Sequence, residues 1–372
     1  MTATETAPDK ASDPVPGPKR LQPYQIAIVI GVLVALITVG SGIFATITQW
    51  HGDEPVTREV FENIPAWLKV TFYTVIPIVI VYGGFVFAQR MKNWNRGGPD
   101  RRDITPKNAK KRLENLRAGL YMQTLLRDPA AGIMHSLIYF GFLILLAVTT
   151  VLEINHQLPD DAKFLYGTTY QAYSFVGDAA GLVFTAGIIW AIVRRYVQKP
   201  YRIRIKTKPE HALILGVFLL IAVSGFLAEG ARIAYEGSPE FEKWSFVGYP
   251  LAQLVDGWSE SSLSTLHQTW WIIHVLSFIA FLLILPITML RHIFTSPLNM
   301  YLSDKDRPKG AMKAMPNLME TEMETFGATA VEDFTWKQLL DTDACTMCGR
   351  CTAVCPAHAT GKPLDPREIV LK

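Results

Sequence analysis

Six stretches of this 372-residue chain are apolar for long enough to cross a bilayer, which takes about 20 residues of helix. They cover roughly 26–48, 65–88, 131–152, 173–193, 210–228 and 269–290. Few folds are open to such a chain, because backbone groups in hydrocarbon must bond within a helix or around a closed barrel. No ladder of alternating ten-residue strands suggests a barrel, and nothing repeats internally. The predicted fold class is therefore an all-α membrane protein with six transmembrane helices. Pro77 and Pro286 fall inside two of them, which membrane helices tolerate. Composition agrees: 49% hydrophobic and 19% charged residues, with a mean hydropathy of +0.19, exclude disordered, collagen-like and disulfide-scaffold chains and disfavour a soluble enzyme.

Residues 1–25 are rich in Pro, Asp, Thr and Ala and are predicted to form a disordered tail. The first apolar run is too long for the core of a signal peptide, and no small-residue cleavage site follows it. Residues 26–64 are therefore predicted to be a retained N-terminal membrane helix and its outer loop. The connections between spans differ sharply in charge. Arg90 to Arg117 carries ten Lys/Arg against Asp100, Asp103 and Glu114, and Arg194 to Lys208 carries seven with no acid. The other loops are acidic, with Asp53, Glu54, Glu59 and Glu62 in one, Glu153, Asp160 and Asp161 in the next, and six acids against two bases from Glu229 to Glu260. By the positive-inside rule, the basic loops and both termini are expected on the cytoplasmic side. Both basic runs are short connections between spans, so nucleic acid is not an expected partner.

The four cysteines form one run, Cys345-x2-Cys348-x2-Cys351-x3-Cys355-Pro356. This is the bacterial ferredoxin spacing for a [4Fe–4S] cluster. Three thiolates wrap one cubane on a tight turn helped by Gly349, and Pro356 redirects the chain. Zinc is the alternative, but zinc sites pair C-x2-C units at a distance and no second pair exists. In two-cluster ferredoxins the cysteine before proline ligates the other cluster. Cys355 either closes the same cluster or serves a second one whose other ligands lie elsewhere; the second option is favoured. A polar linker over 296–332, with Met312, Met315, Met319 and Met323, leads into an iron–sulfur segment over 333–372 that opens on an amphipathic helix, Asp333 to Asp341.

Of the eight histidines, His274 and His292 bracket the last span and lie eighteen residues apart. On one continuous helix that is five turns, so both would share a face, about 27 Å apart. Such a pair suits b-type haems stacked near the two membrane surfaces. His135 opens the third span at the cytoplasmic surface and is the best partner for His292. Candidates to face His274 are His156, favoured because it comes from another helix, and His267. His51, His211 and His358 are read as ordinary histidines, the last placed to tune the cluster. Asp178, Glu229 and Arg232 lie at the outer ends of spans, where ionisable groups are costly and often functional. They could shape a quinone pocket or pass protons, or simply mark the interface.

Asp128-Pro-Ala-Ala-Gly-Ile-Met-His135, with Gly141-Phe142 further along, resembles the haem-binding helix of nitrate reductase gamma subunits. The stretch from His274 to His292-Ile-Phe-Thr-Ser-Pro297 resembles their last haem helix. The resemblance implies a five-helix haem b membrane domain over 65–295, with the first span as an extra helix. It supports His135 with His292 for one haem. It departs at Leu145, where the gamma subunits carry a second histidine, which leaves His274 without its expected partner. Cys345 to Pro356, followed by Gly361-Lys-Pro-Leu-Asp-Pro-Arg367, is similar to the iron–sulfur subunits of heterodisulfide reductases.

The combination, over about 65–372, resembles membrane iron–sulfur oxidoreductases related to heterodisulfide reductase. Some of these are electron-transfer-flavoprotein:menaquinone oxidoreductases serving fatty-acid β-oxidation. Members usually continue with a second cluster motif and cysteine-rich CCG domains, which this sequence does not contain, so a further portion or partner is expected. The implied function is electron transfer from electron-transfer flavoprotein through a [4Fe–4S] cluster and one haem b to menaquinone, with His274 a candidate ligand for a second haem whose partner is not identified. Two alternatives stay open: a quinol-oxidising module feeding a heterodisulfide, thiol or sulfite-type reductase, and a haem-free anchor for a soluble complex.

Overall fold

The computed structural model describes residues 56–100, 105–200, 203, 207–303, 317, 319–322 and 327–371. Among the described residues, five helices are long and apolar enough to cross a membrane: α1 Ala66–Trp94, α3 Pro129–Gln157, α4 Gly167–Ile192, α5 Pro209–Tyr235 and α7 Glu260–Ile284. The span expected at 26–48 and the tail before it lie outside the described residues. Shorter helices connect and follow them: α2 Pro106–Leu120, α6 Gly248–Gln253, α8 His292–Leu302, α9 Trp336–Asp343, α10 Arg350–Ala353, α11 Pro356–Ala359 and α12 Pro366–Leu371. Among the described residues there is no strand beyond one isolated bridge, Gly98 with Thr335.

Local signals set the helix ends. Asp128 caps α3 by accepting from the Ala131 amide, with Pro129 at the first position, and Ser259 caps α7 at the Ser262 amide. The α4 helix widens into a π-turn over Val193–Gln198 and stops at Lys199 in the left-handed region. The last span corrects the expectation of one helix over 269–290. It starts earlier, at Glu260, and stops at Ile284, two residues before Pro286, which has no amide proton to continue the ladder. The chain restarts through a 3-10 turn at Met289–Arg291, capped by Thr288, and enters α8 at His292. His274 and His292 therefore do not share one unbroken helix, and the five-turn spacing does not apply.

Helices α3 and α4 approach closely through glycine. A Cβ on Gly141 would lie 2.9 Å from the Phe184 amide nitrogen, and one on Gly187 2.9 Å from that of Ile138. Small residues let membrane helices gain dispersion contact where no hydrophobic drive exists between them. The core beside them is aromatic: Phe142, Phe184, Phe218 and Phe281, with Ile188, Ile214, Ile284 and Leu290. Outward-facing Val70, Ile78, Val81 and Phe85 of α1 stay exposed, as a lipid face requires. At the other end of α1, Trp94 packs with Leu302 of α8 and Leu340 of α9. The Gly98 amide donates to Phe334 O (2.8 Å) and the Trp336 amide to Gly98 O (2.9 Å). The cysteine segment is thus seated on the ends of the membrane helices.

Candidate redox site

His135, in the second turn of α3, meets His292 at the start of α8: ring centres lie 6.3 Å apart with planes at 61°. Imidazole nitrogens bind metals at about 2.0–2.1 Å, so two rings on opposite sides of one iron have centres roughly 6 Å apart. His292 Nδ1 lies 2.7 Å from the Met289 carbonyl oxygen, which takes the ring proton and leaves Nε2 with a free lone pair. His135 Nδ1 is buried and has no hydrogen-bond partner among the described residues. Both rings fit a metal held between them, and Tyr139, one turn along α3, stacks on the His135 side.

His274 sits differently. Its Nδ1 lies 3.1 Å from both Ser224 Oγ and the Ile221 carbonyl of α5, and a Cβ on Gly225 would come within 3.2 Å of its ring. Leu145 packs against the aromatic core. The His156 ring stands edge-on to Phe61 at 5.3 Å, and His267 Nδ1 lies 3.4 Å from Asn63 Nδ2. Among the described residues neither ring is packed against His274.

The cysteine segment starts at α9, whose Thr335 and Gln338 form a reciprocal cap. Met347 (φ 54°) and Gly349 (φ 70°) turn the chain sharply between Cys345 and Cys351. Burial pushes the Cys345 thiol up, and Cys348 and Cys351 push it the same way, while the Met347 amide and Arg367 pull back. The two left-handed residues keep Cys345, Cys348 and Cys351 within one short turn of chain. Yet among the described residues no three His, Cys, Asp or Glu close on a single ion. Four thiolates at about 2.3 Å from one zinc would crowd together, whereas a cubane holds its thiolates apart on separate irons. Thr352, inside the run, donates to Asp365 Oδ1 (2.5 Å), and Arg367 pairs with Asp365 Oδ2 (2.7 Å). Slight burial opposes the Asp365 charge, but these two partners pull its carboxyl down to about 2.

The acidic residues at the other end of the bundle hold loops together. Asp178 Oδ2 accepts from the amides of Val247 (2.6 Å) and Gly248 (3.3 Å), anchoring the start of α6. Glu229 lies beside Asp178 and against Gly248, where a Cβ would be 2.7 Å from its carboxyl carbon. Arg232 donates to Glu236 (2.6 Å) and to Glu242 (2.7 Å), and Tyr170 donates to the same Glu242 oxygen (2.7 Å). Burial works against the Glu242 charge, but Arg232 and Tyr170 hold its carboxyl below the ordinary range.

Two family models match. Residues 130–307 match the nitrate reductase gamma subunit, and 336–357 match a 4Fe-4S binding domain. The chain joins a nitrate reductase gamma-like domain to a 4Fe-4S domain. It is 31% identical over 335 residues to the "EtfAB:quinone oxidoreductase" of Syntrophomonas wolfei, covering 86% of this chain and 44% of that protein. It is 29% identical over 265 residues to "Probable iron-sulfur-binding oxidoreductase FadF" of Bacillus subtilis, covering 71% of this chain and 37% of that one. A 44-residue stretch is 59% identical to a "Probable membrane-anchored ferredoxin" of Chromohalobacter salexigens, 12% of this chain and 7% of that protein. The chain thus spans less than half the length of these relatives. No solved structure matches it. The gamma-like match begins at α3, so it takes in His135, His274 and His292 but not α1. The two longer relatives are both named as oxidoreductases, and the match to each takes in most of this chain. Sequence reading overlooked Arg291 and Asp343, which meet between the two halves; their places beside His292 and near Cys345 were the available signal.

Proposed function

We propose that this chain carries electrons from electron-transfer flavoprotein to menaquinone, in a bacterial inner or plasma membrane with both termini cytoplasmic. Cys345, Cys348 and Cys351 hold a [4Fe–4S] cluster, and Cys355 serves the same cluster or a second one completed by a further iron–sulfur portion. His135 and His292 hold one haem b. Bound there, the two centres supply one-electron steps, while the helices fix their spacing and the protein sets their potentials. The observation that carries this reading is the approach of His135 to His292 at 6.3 Å, one end of the bundle away from His274. Asp178, Glu229 and Arg232 border the menaquinone and its protons at the outer end. The flavoprotein assignment rests on the name of one relative and on the resemblance to its family.

The test is haem per chain by pyridine haemochrome on detergent-purified protein, followed by reduction with reduced flavoprotein. About one haem, reduced by the flavoprotein and reoxidised by a menaquinone analogue, is the expected result. About two would bring His274 into use. Reduction by menaquinol alone would reverse the current. No haem beside an intact iron–sulfur signal would leave a membrane-anchored ferredoxin and sink the proposal.

A further inference from the structure

The halves of the molecule meet at one carboxylate. Asp343 is the last residue of α9, two residues before Cys345, and its side chain is 9% exposed. Its Oδ1 accepts from Arg90 Nε of α1 (2.7 Å) and from Arg291 Nε (2.9 Å), the residue before His292. Its Oδ2 accepts from Trp94 Nε1 (3.2 Å). Arg291 is fixed in turn by donating to the Thr288 carbonyl (2.9 Å), in the same turn whose Met289 carbonyl orients His292. Charge-assisted bonds are the strong ones, and here one carboxylate satisfies three donors on two membrane elements.

We propose that Asp343 is a positioning residue that sets the distance between the cysteine centre and the His135–His292 centre. This rests on the proposed electron-transfer reading. Other ties hold the segment down elsewhere: Lys337 to Asn299, Arg350 to the Thr124 and Leu125 carbonyls, and the backbone pairing at Gly98. The Asp343 joint differs in joining the neighbourhood of Cys345 directly to that of His292, by the route Cys345–Ala344–Asp343···Arg291–His292. Electron tunnelling falls off exponentially with distance, so a small displacement here changes the transfer rate, while the ties elsewhere keep the segment attached.

Asp343→Asn removes the charge at nearly constant shape, and Asp343→Glu restores the charge on a longer arm. In full-length, detergent-purified protein, the cluster would be photoreduced with a deazaflavin and haem reduction followed optically. Asp343→Asn is expected to slow that transfer at least tenfold, with haem and cluster content and both midpoint potentials unchanged, and Asp343→Glu to recover part of the rate. Hydrogen exchange over Trp336–Asp343 should rise in Asp343→Asn, including in protein made haem-free by His135→Ala. A rate within twofold of the unmodified protein, or a slowing accounted for by shifted potentials, overturns the positioning role. Unmodified protein without haem overturns the electron-transfer reading instead. In that case unchanged exchange in Asp343→Asn also removes the joint.

Discussion

The two ends of the helix bundle carry the same kind of residue in different company. At one end His135 faces His292, with one ring nitrogen fixed by Met289 and another without a hydrogen-bond partner among the described residues. At the other, His274 is pinned to α5 by Ile221 and Ser224, beside Gly225. A histidine becomes half of a bis-imidazole site only when a second ring stands opposite at the same depth. Helix position alone does not supply that ring. The fastenings differ as well. The loops beyond α5 are tied by the buried Arg232–Glu242 pair, whereas the cysteine end is tied by pairs at Asp343 and Asp365 in which one partner is partly exposed.

The contrast breaks most decisively on haem content. His135→Ala or His292→Ala should abolish haem binding, while His274→Ala should leave about one haem per chain, all read by pyridine haemochrome. A halved content in His274→Ala would show that the outer end is also a haem site. The contrast sharpens if it can be erased. Leu145→His restores the histidine that the gamma subunits carry, and the expected outcome is a rise from about one haem per chain to about two. No rise, in protein that stays folded, would mean that the outer end lacks room for the group as well as a ligand.

How much of this was legible beforehand follows from the range of each signal. Hydropathy and the cysteine spacing are local, so the described spans and the cluster motif could be read directly. His135 and His292 could be matched because each lies at the same predicted end of its span, which fixes its depth. The helix break before His292 was hidden because Leu285, Ile287, Met289 and Leu290 keep the sequence apolar across it. Only the missing amide of Pro286 marked it, and membrane helices often absorb a proline. Asp178 and Arg232 drew attention as costly charges, but their partners are remote: Val247 lies 69 residues from Asp178, and Glu242 sits on the loop beyond α5. Asp343 finds Arg291 across 52 residues and Arg90 across 253, distances at which a single sequence carries no pairing signal.

The fastenings give smaller effects than the histidines. Glu242→Gln leaves Arg232 buried with only Glu236 opposite its charge. Breaking a buried pair outright costs roughly 3–5 kcal/mol. Because Glu236 still accepts from Arg232, a loss of about 2–3 kcal/mol is expected, seen as a lower unfolding temperature in detergent with haem content unchanged. A neutral result would show that the outer cluster is incidental to the fold.

The smallest effect belongs to Asp365 and is best read through pH. Its carboxyl titrates near 2 in the folded chain, against 3.8 ordinarily, so the folded state favours the charged form. The stability it adds is therefore complete above about pH 4 and is lost as pH falls through 2. Asp365→Asn should raise hydrogen exchange over Arg350–Ala353 and Pro366–Leu371 at neutral pH. The gap between the two proteins should close as the unmodified chain is acidified towards pH 2. The outer loops around Glu242 should show no matching gap between these two proteins, since nothing there touches Asp365. A constant difference from neutral pH down to 2 would mean that Asp365 fastens the cysteine segment by shape, with its charge playing no part.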